Sequence, residues 1–230
     1  MFVRQLFDRD TSTYTYIVAD EETKQAAIID PVKEQLDRDS KLIEELGFGL
    51  KYVLETHVHA DHVTSSGKLR DRFGAQVVLQ EASNAKCADI LAKDGDVLKL
   101  GNQEIKVLHT PGHTDADATF RIEGAVFTGD ALLVRGCGRT DFQAGSNEKL
   151  YRSINEKIFS LPDDTVIYPG HDYKGQTAST VGEEKAYNPR LGAGKDLEAF
   201  AEIMDNLKLA PPARLDVSLP GNMRCGSELN

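Results

Sequence analysis

Four strand-like runs of this chain each lead into a histidine or an aspartate, and this pattern constrains the fold more than any other feature. "KYVLET" (51–56) runs into His57, "EIKVLHT" (104–110) runs towards His113, "AVFTGD" (125–130) ends on Asp130, and "TVIYPG" (165–170) runs into His171. Side chains at the ends of neighbouring strands can meet at one point whatever their separation along the chain. A fold that brings these strand ends to one edge therefore builds a site.

The residue types say which chemistry that site suits. Five of the six histidines are ligand candidates within three short motifs: His57, His59 and His62 in "THVHADH" (56–62), His113 in "HTPGHT" (109–114) and His171 in "PGHDYKG" (169–175). Neutral imidazole and carboxylate are ligands for borderline divalent ions such as zinc and iron. His57 and His59, two apart on a loop leaving a strand, can turn to one ion, and Asp61 and His62 continue the same turn. Gly112, Gly129 and Gly170 lie beside ligand candidates, where the backbone must turn sharply or approach closely. The ligands suffice for one ion or for two. His109 stands apart and reads as a structural histidine bonded to backbone.

The strands come in groups. "TYTYIVAD" (13–20), "QAAIID" (25–30), "KYVLET" and "QVVLQ" (76–80) precede "DVLKLG" (96–101), "QEIKVLHT" (103–110), "ATFRIEG" (118–124), "AVFTGD" and "DTVIYPG" (164–170). They are rich in β-branched and aromatic residues. Helical spacing marks 33–47, 65–74, 147–161 and 196–209, the last closed by Pro211 and Pro212. Too many strands follow one another without a crossover helix for a doubly wound sheet. The order predicts an α/β four-layer α/β/β/α sandwich, one domain over 1–230, with a short helix and loop extension from about 190 to 230 covering the site.

The net charge of −10 over 230 residues disfavours nucleic acid and anionic membranes as partners, and with them a nuclease. An anionic substrate needs a local basic pocket. The first twenty residues carry Arg4, Asp8, Arg9 and Asp10 and no long apolar run, so neither a signal peptide nor a membrane span is expected. Three cysteines, Cys87, Cys137 and Cys225, with no close pairing predict reduced thiols in a cytoplasmic setting. Cys137, between two glycines, reads as a small buried residue, and Cys225 as a residue that could be exposed.

"THVHADH", "HTPGHT", "FTGD" and "YPGHD" together resemble the metallo-β-lactamase fold superfamily, which implies the same sandwich with the site at one edge of the sheets. In its glyoxalase II branch the resemblance implies two ions, His57, His59 and His113 holding one, Asp61, His62 and His171 the other, and Asp130 bridging. Such a pair hydrolyses thioesters. The run "GCGRTDFQ" (136–143), with "PGHDYKG" and "LPGNMRCG" (219–226), instead resembles the persulfide dioxygenase branch, which acts in hydrogen sulfide catabolism.

That branch implies one Fe(II) per chain, held by His57, His113 and Asp130, with His59, Asp61, His62 and His171 around it. It implies glutathione persulfide and O2 as substrates and a possible homodimer. Glutathione carries carboxylates that arginine or lysine would hold. By resemblance, Arg139, Tyr173 and Arg224 are the first candidates, followed by Lys174, Arg214 and Met223; Arg214 and Arg224 are expected on loops. A sensor that binds persulfide without turnover is the non-enzymatic alternative.

Overall fold

Alternation within the strands decides the layering. In the strand Thr13–Ala19, Tyr14, Tyr16 and Val18 point to one face and Ile17 and Ala19 to the other, and every residue is buried. In the strand Gln25–Ile29, Ala27 and Ile29 join the first set, and Ala26 and Ile28 the second. Strands buried on both faces must lie between two packed layers.

The computed structural model describes residues 1–209 and 214–227. Its first sheet comprises β1 (Phe2–Asp8), β2 (Thr13–Ala19), β3 (Gln25–Ile29), β4 (Gly49–Leu54), β5 (Gln76–Gln80) and β6 (Ile90–Ala92), adjacent in that order. The second comprises β7 (Val97–Leu100), β8 (Gln103–His109), β9 (Ala118–Ile122), β10 (Ala125–Gly129), β11 (Val166–Pro169) and β12 (Ser179–Thr180), ordered β12-β11-β10-β9-β8-β7. One core lies between the sheets, with Tyr16, Ile29, Leu54, Ile105, Phe120 and Phe127. A second packs the first sheet's outer face, through Val53 and Val77, on α1 (Leu36–Glu45) and α2 (Ser66–Phe73), through Ile43 and Leu69. The third packs Val126 and Ile167 against α3 (Asn147–Ser153), α4 (Val181–Tyr187) and α5 (Leu197–Asp205). Helices outside, two sheets within: this is the expected four-layer sandwich.

Local signals set the helix ends. Gly74 caps α2 in the left-handed region at φ +68°. Ser146 and Asp196 cap α3 and α5 by accepting the backbone N–H three residues on. The helix expected over 147–161 is α3 followed by a π-helical turn, Ile154–Ile158, which keeps Leu150, Ile154 and Ile158 in the core. Pro211 and Pro212, expected to close the last helix, lie outside the described residues, as do residues 228–230. Arg214 and Arg224 stand outside helices, as expected, and between them the chain forms a further helix, α6 (Leu215–Asn222), with Pro220 inside it.

The cysteine expectation needs correcting. Cys87 and Cys225 form a disulfide, their Cα atoms 5.8 Å apart across 138 residues of sequence. Spacing along the chain was no guide, because tertiary packing brings the C-terminal segment onto the Cys87 loop. Cys225 is buried rather than exposed. Cys137 is a free buried thiol, as expected, and burial pushes it up to about 11.

The sheets join at one end. The Ala118 N–H donates to Thr56 O at 2.7 Å, and the Tyr14 N–H donates to Gly170 O at 2.8 Å. β3 and β4 run parallel, as do β10 and β11, so their C-terminal ends share this edge. Among the described residues no helix is long and apolar enough to cross a membrane.

Candidate metal centre

The strand ends place Asp30 after β3, His57 after β4, His113 after β8, Asp130 after β10 and His171 after β11. One nitrogen from each of His57 and His113 and one oxygen of Asp130 lie within 4.8 Å of one another. Hydrogen bonds on the far side of each ring show which atoms face inward. Thr56 Oγ1 donates its single proton to Asp30 Oδ2 at 2.8 Å, so it can only accept from His57 Nδ1, at 3.0 Å. His57 Nε2 is left with its lone pair. His113 Nδ1 donates to Arg139 O at 2.7 Å, which frees His113 Nε2, 3.7 Å from Asp130 Oδ2. Asp130 Oδ1 accepts from His171 Nδ1 at 2.6 Å, so Oδ2 remains available.

Two tight approaches shape this corner. Gly129, at φ +51°, lies against Thr56, and a Cβ there would overlap the Thr56 hydroxyl. A Cβ on Gly138 would come 2.8 Å from the His113 ring.

Charge is arranged around the three inward atoms. Burial acts against ionisation of Asp130, but His171 and the neighbouring histidines hold its carboxyl well below the usual range. Burial, reinforced by His59 and His113, holds His57 well below the ordinary histidine range, so its ring is neutral. His171 is buried too, yet Asp130 and Asp61 on its two sides hold it well above that range. Its Nε2 lies 3.0 Å from Asp61 Oδ2. It thus donates from both nitrogens.

His59 turns elsewhere. Its Nε2 lies 3.2 Å from Asp30 Oδ1 and 3.5 Å from Glu55 Oε2, inside the wall. Despite full burial, Asp30 and Glu55 hold it well above the usual range. Glu55 in turn accepts the hydroxyls of Thr64 and Ser66. Ligand atoms of His59, Asp61 and His62 form a second group within 4.8 Å. His62 Nδ1 bonds Asp61 Oδ2 at 2.9 Å, and among the described residues its Nε2 has no hydrogen-bond partner.

All seven histidines and aspartates picked from the motifs therefore meet at one edge. Sequence reasoning missed Asp30, Glu55, Thr56 and Asn222, which hold them. Asp30 had a usable signal, since "QAAIID" ends on an aspartate as "AVFTGD" does. Asn222 had none. His109 is structural, as expected, with Nε2 2.9 Å from Asp115 O.

The centre opens into a cavity of about 600 Å³. Asp61, His113, Asp130 and His171 line it together with Arg139, Tyr173, Lys174 and Arg214. Arg190, which sequence reasoning missed, also faces it. Tyr173 lies parallel to the His171 ring, centroids 6.2 Å apart. The Arg139 guanidinium grips Asp141 at 2.6 and 2.8 Å and covers the Phe142 ring. Arg214 pairs with Glu34 at 2.9 Å. Met223 and Arg224, in the turn after α6, do not line the cavity.

Two imidazole nitrogens and a carboxylate oxygen, each freed by a hydrogen bond on its other side, suit a divalent ion, so this is a potential metal-binding site. The chain matches the metallo-beta-lactamase superfamily model over residues 8–171. It is 47% identical over 229 residues to the mouse (Mus musculus) protein named persulfide dioxygenase ETHE1, mitochondrial, covering 98% of this chain and 89% of that one. The Homo sapiens protein of the same name is 48% identical with the same coverage. The crystal structure of ETHE1 from Myxococcus xanthus, 51% identical, superposes with a TM-score of 0.96 over 99% of this chain and 100% of that one. With its strand-end histidines, its sandwich and these relatives, the chain belongs to the metallo-beta-lactamase superfamily, in the branch of the persulfide dioxygenases.

Proposed function

We propose that the chain is a persulfide dioxygenase that converts glutathione persulfide, O2 and water to sulfite, glutathione and two protons. What supports this most is the identity of 47–48% along 98% of the chain to relatives of that name, together with a cavity that joins a two-histidine, one-carboxylate centre to basic and aromatic side chains. His57 Nε2, His113 Nε2 and Asp130 Oδ2 would hold one Fe(II). When bound, the iron would supply redox chemistry towards dioxygen, which zinc lacks.

The chain's own residues bind, orient and move protons. Thr56, Arg139 O and His171 fix the three ligands in the orientation that exposes those atoms. Arg139, Lys174 and Arg214 offer cations to the glutathione carboxylates, and Tyr173 offers a ring against the tripeptide. Asp61, ionised and 30% exposed, lines the cavity and lies 3.0 Å from His171 Nε2, a route for protons between the cavity and His171.

Iron reconstitution under anaerobic conditions, followed by oxygen uptake with fresh glutathione persulfide, tests the reading. Stoichiometric sulfite is expected; iron-loaded protein that consumes no oxygen overturns it. The group His59, Asp61 and His62 favours a second reading, a two-ion thioesterase of the glyoxalase II type. Two metal equivalents with thioester turnover would establish that one. A homodimer and a cytoplasmic location are likewise proposals, for light scattering and fractionation to test; the mammalian relatives' names place those proteins in mitochondria.

A further inference from the structure

The C-terminal "LPGNMRCG" has no part in the reaction as drawn, since neither Met223 nor Arg224 reaches the cavity. Asn222 within it is bound to the metal loop. Asn222, 4% exposed, ends α6. Its Nδ2 donates to His59 O at 2.9 Å and to His62 O at 2.8 Å, and its Oδ1 accepts the Thr64 N–H at 2.8 Å. One side chain thus satisfies three backbone groups of the loop that carries His59, Asp61 and His62. Both amide protons of Asn222 are used, a pattern that only a carboxamide supplies.

Two further contacts fasten the same segment. Cys225 O accepts the Gly67 N–H at 2.8 Å, at the first turn of α2. Gly226, at φ +76°, lies so close to Thr64 O that a Cβ would overlap it. The Cys87–Cys225 disulfide then ties this turn to the loop before β6. The loop's His59 O, His62 O and Thr64 N–H find their partner in Asn222 rather than within the loop. Its conformation needs an outside template.

We propose that Asn222 is a positioning residue for the metal-bearing loop and that the Cys87–Cys225 disulfide is the latch that keeps it seated. Through His62 and Asp61 the loop sets His171, and through His171 it sets Asp130. The latch therefore acts on the ligand set from a segment that contributes no ligand. This rests on the reading of His57, His113 and Asp130 as metal-holding.

Cobalt(II) titration tests it, because both affinity and the visible spectrum report the ligand geometry. Asn222→Asp keeps the shape and the acceptor for Thr64 but sets an oxygen against the carbonyls of His59 and His62. It is expected to weaken cobalt binding roughly 10–100-fold and to alter the spectrum. Cys87→Ser, and wild type reduced with dithiothreitol, are expected to show faster hydrogen exchange at the Thr64 and Gly67 amides. In the reduction the reagent's two thiols become one cyclic disulfide while Cys87 and Cys225 each gain a hydrogen. An unchanged affinity and spectrum in Asn222→Asp overturns the role of Asn222. Unchanged exchange in Cys87→Ser overturns the latch, and carries the test should Asn222→Asp not fold. Wild type that takes up no cobalt at all overturns the reading of the centre instead.

Discussion

Thr56 fixes the ring of His57: its hydroxyl spends its one proton on Asp30 Oδ2, 2.8 Å away, and so accepts the Nδ1–H of His57 at 3.0 Å. The result is a neutral imidazole whose Nε2 can only face the centre. Removing the hydroxyl releases the tautomer and leaves Asp30 with one donor fewer. Thr56→Val is expected to weaken metal binding roughly 10–100-fold, whereas Thr56→Ser keeps it. Competition with a chromogenic chelator measures both.

Turning His59 towards Asp30 and Glu55 separates it from the inward group. His59→Ala is therefore expected to retain one metal equivalent per chain after dialysis, and His57→Ala to retain none. Elemental analysis decides. Loss of metal from both variants to the same degree would return His59 to the ligand set.

Gly129 carries a structural load beside its ligand neighbour Asp130. At φ +51°, an alanine costs about 1 kcal/mol in backbone strain. Its overlap with Thr56 adds about 1–3 kcal/mol. Gly129→Ala is expected to lower urea-unfolding stability by about 2–4 kcal/mol and to weaken metal binding, because Thr56 must shift.

Asp39 gives a pH dependence remote from the centre. It is fully buried on α1, and although Arg38 donates to its Oδ1 at 2.8 Å, Oδ2 has no hydrogen-bond partner among the described residues. Burial pushes its carboxyl up to about 6 against the opposing effect of Arg38. The folded state then binds the proton more tightly than the unfolded chain. The stability this contributes is fully present below about pH 4 and is lost as pH rises through about 6. Asp39→Asn removes the effect. Its unfolding free energy should gain on wild type by about 1 kcal/mol between pH 5 and pH 7. Denaturant titrations at the two values check this, and a constant difference refutes it.

The sequence by itself determined the sandwich and the address of the site. Both are carried by local pattern: strands buried on both faces, grouped without crossovers, each delivering a ligand type at its end. Such patterns survive translation into structure because a strand's direction and its alternation follow from the chain within a few residues. His109 could be set aside on the same local grounds.

Only the tertiary structure decided how the seven candidates divide their work. Whether His57 or His59 faces inward depends on where Thr56, Asp30 and Glu55 stand, and hydrogen-bond partners at the ends of two strands have no signature in one motif. The "NMRCG" segment shows the same limit more sharply. Asn222 reaches loop residues about 160 positions away, and Cys225 bonds a cysteine 138 residues away. Spacing along the chain says nothing about such pairs, since distance in the folded state is set by how helices and sheets pack.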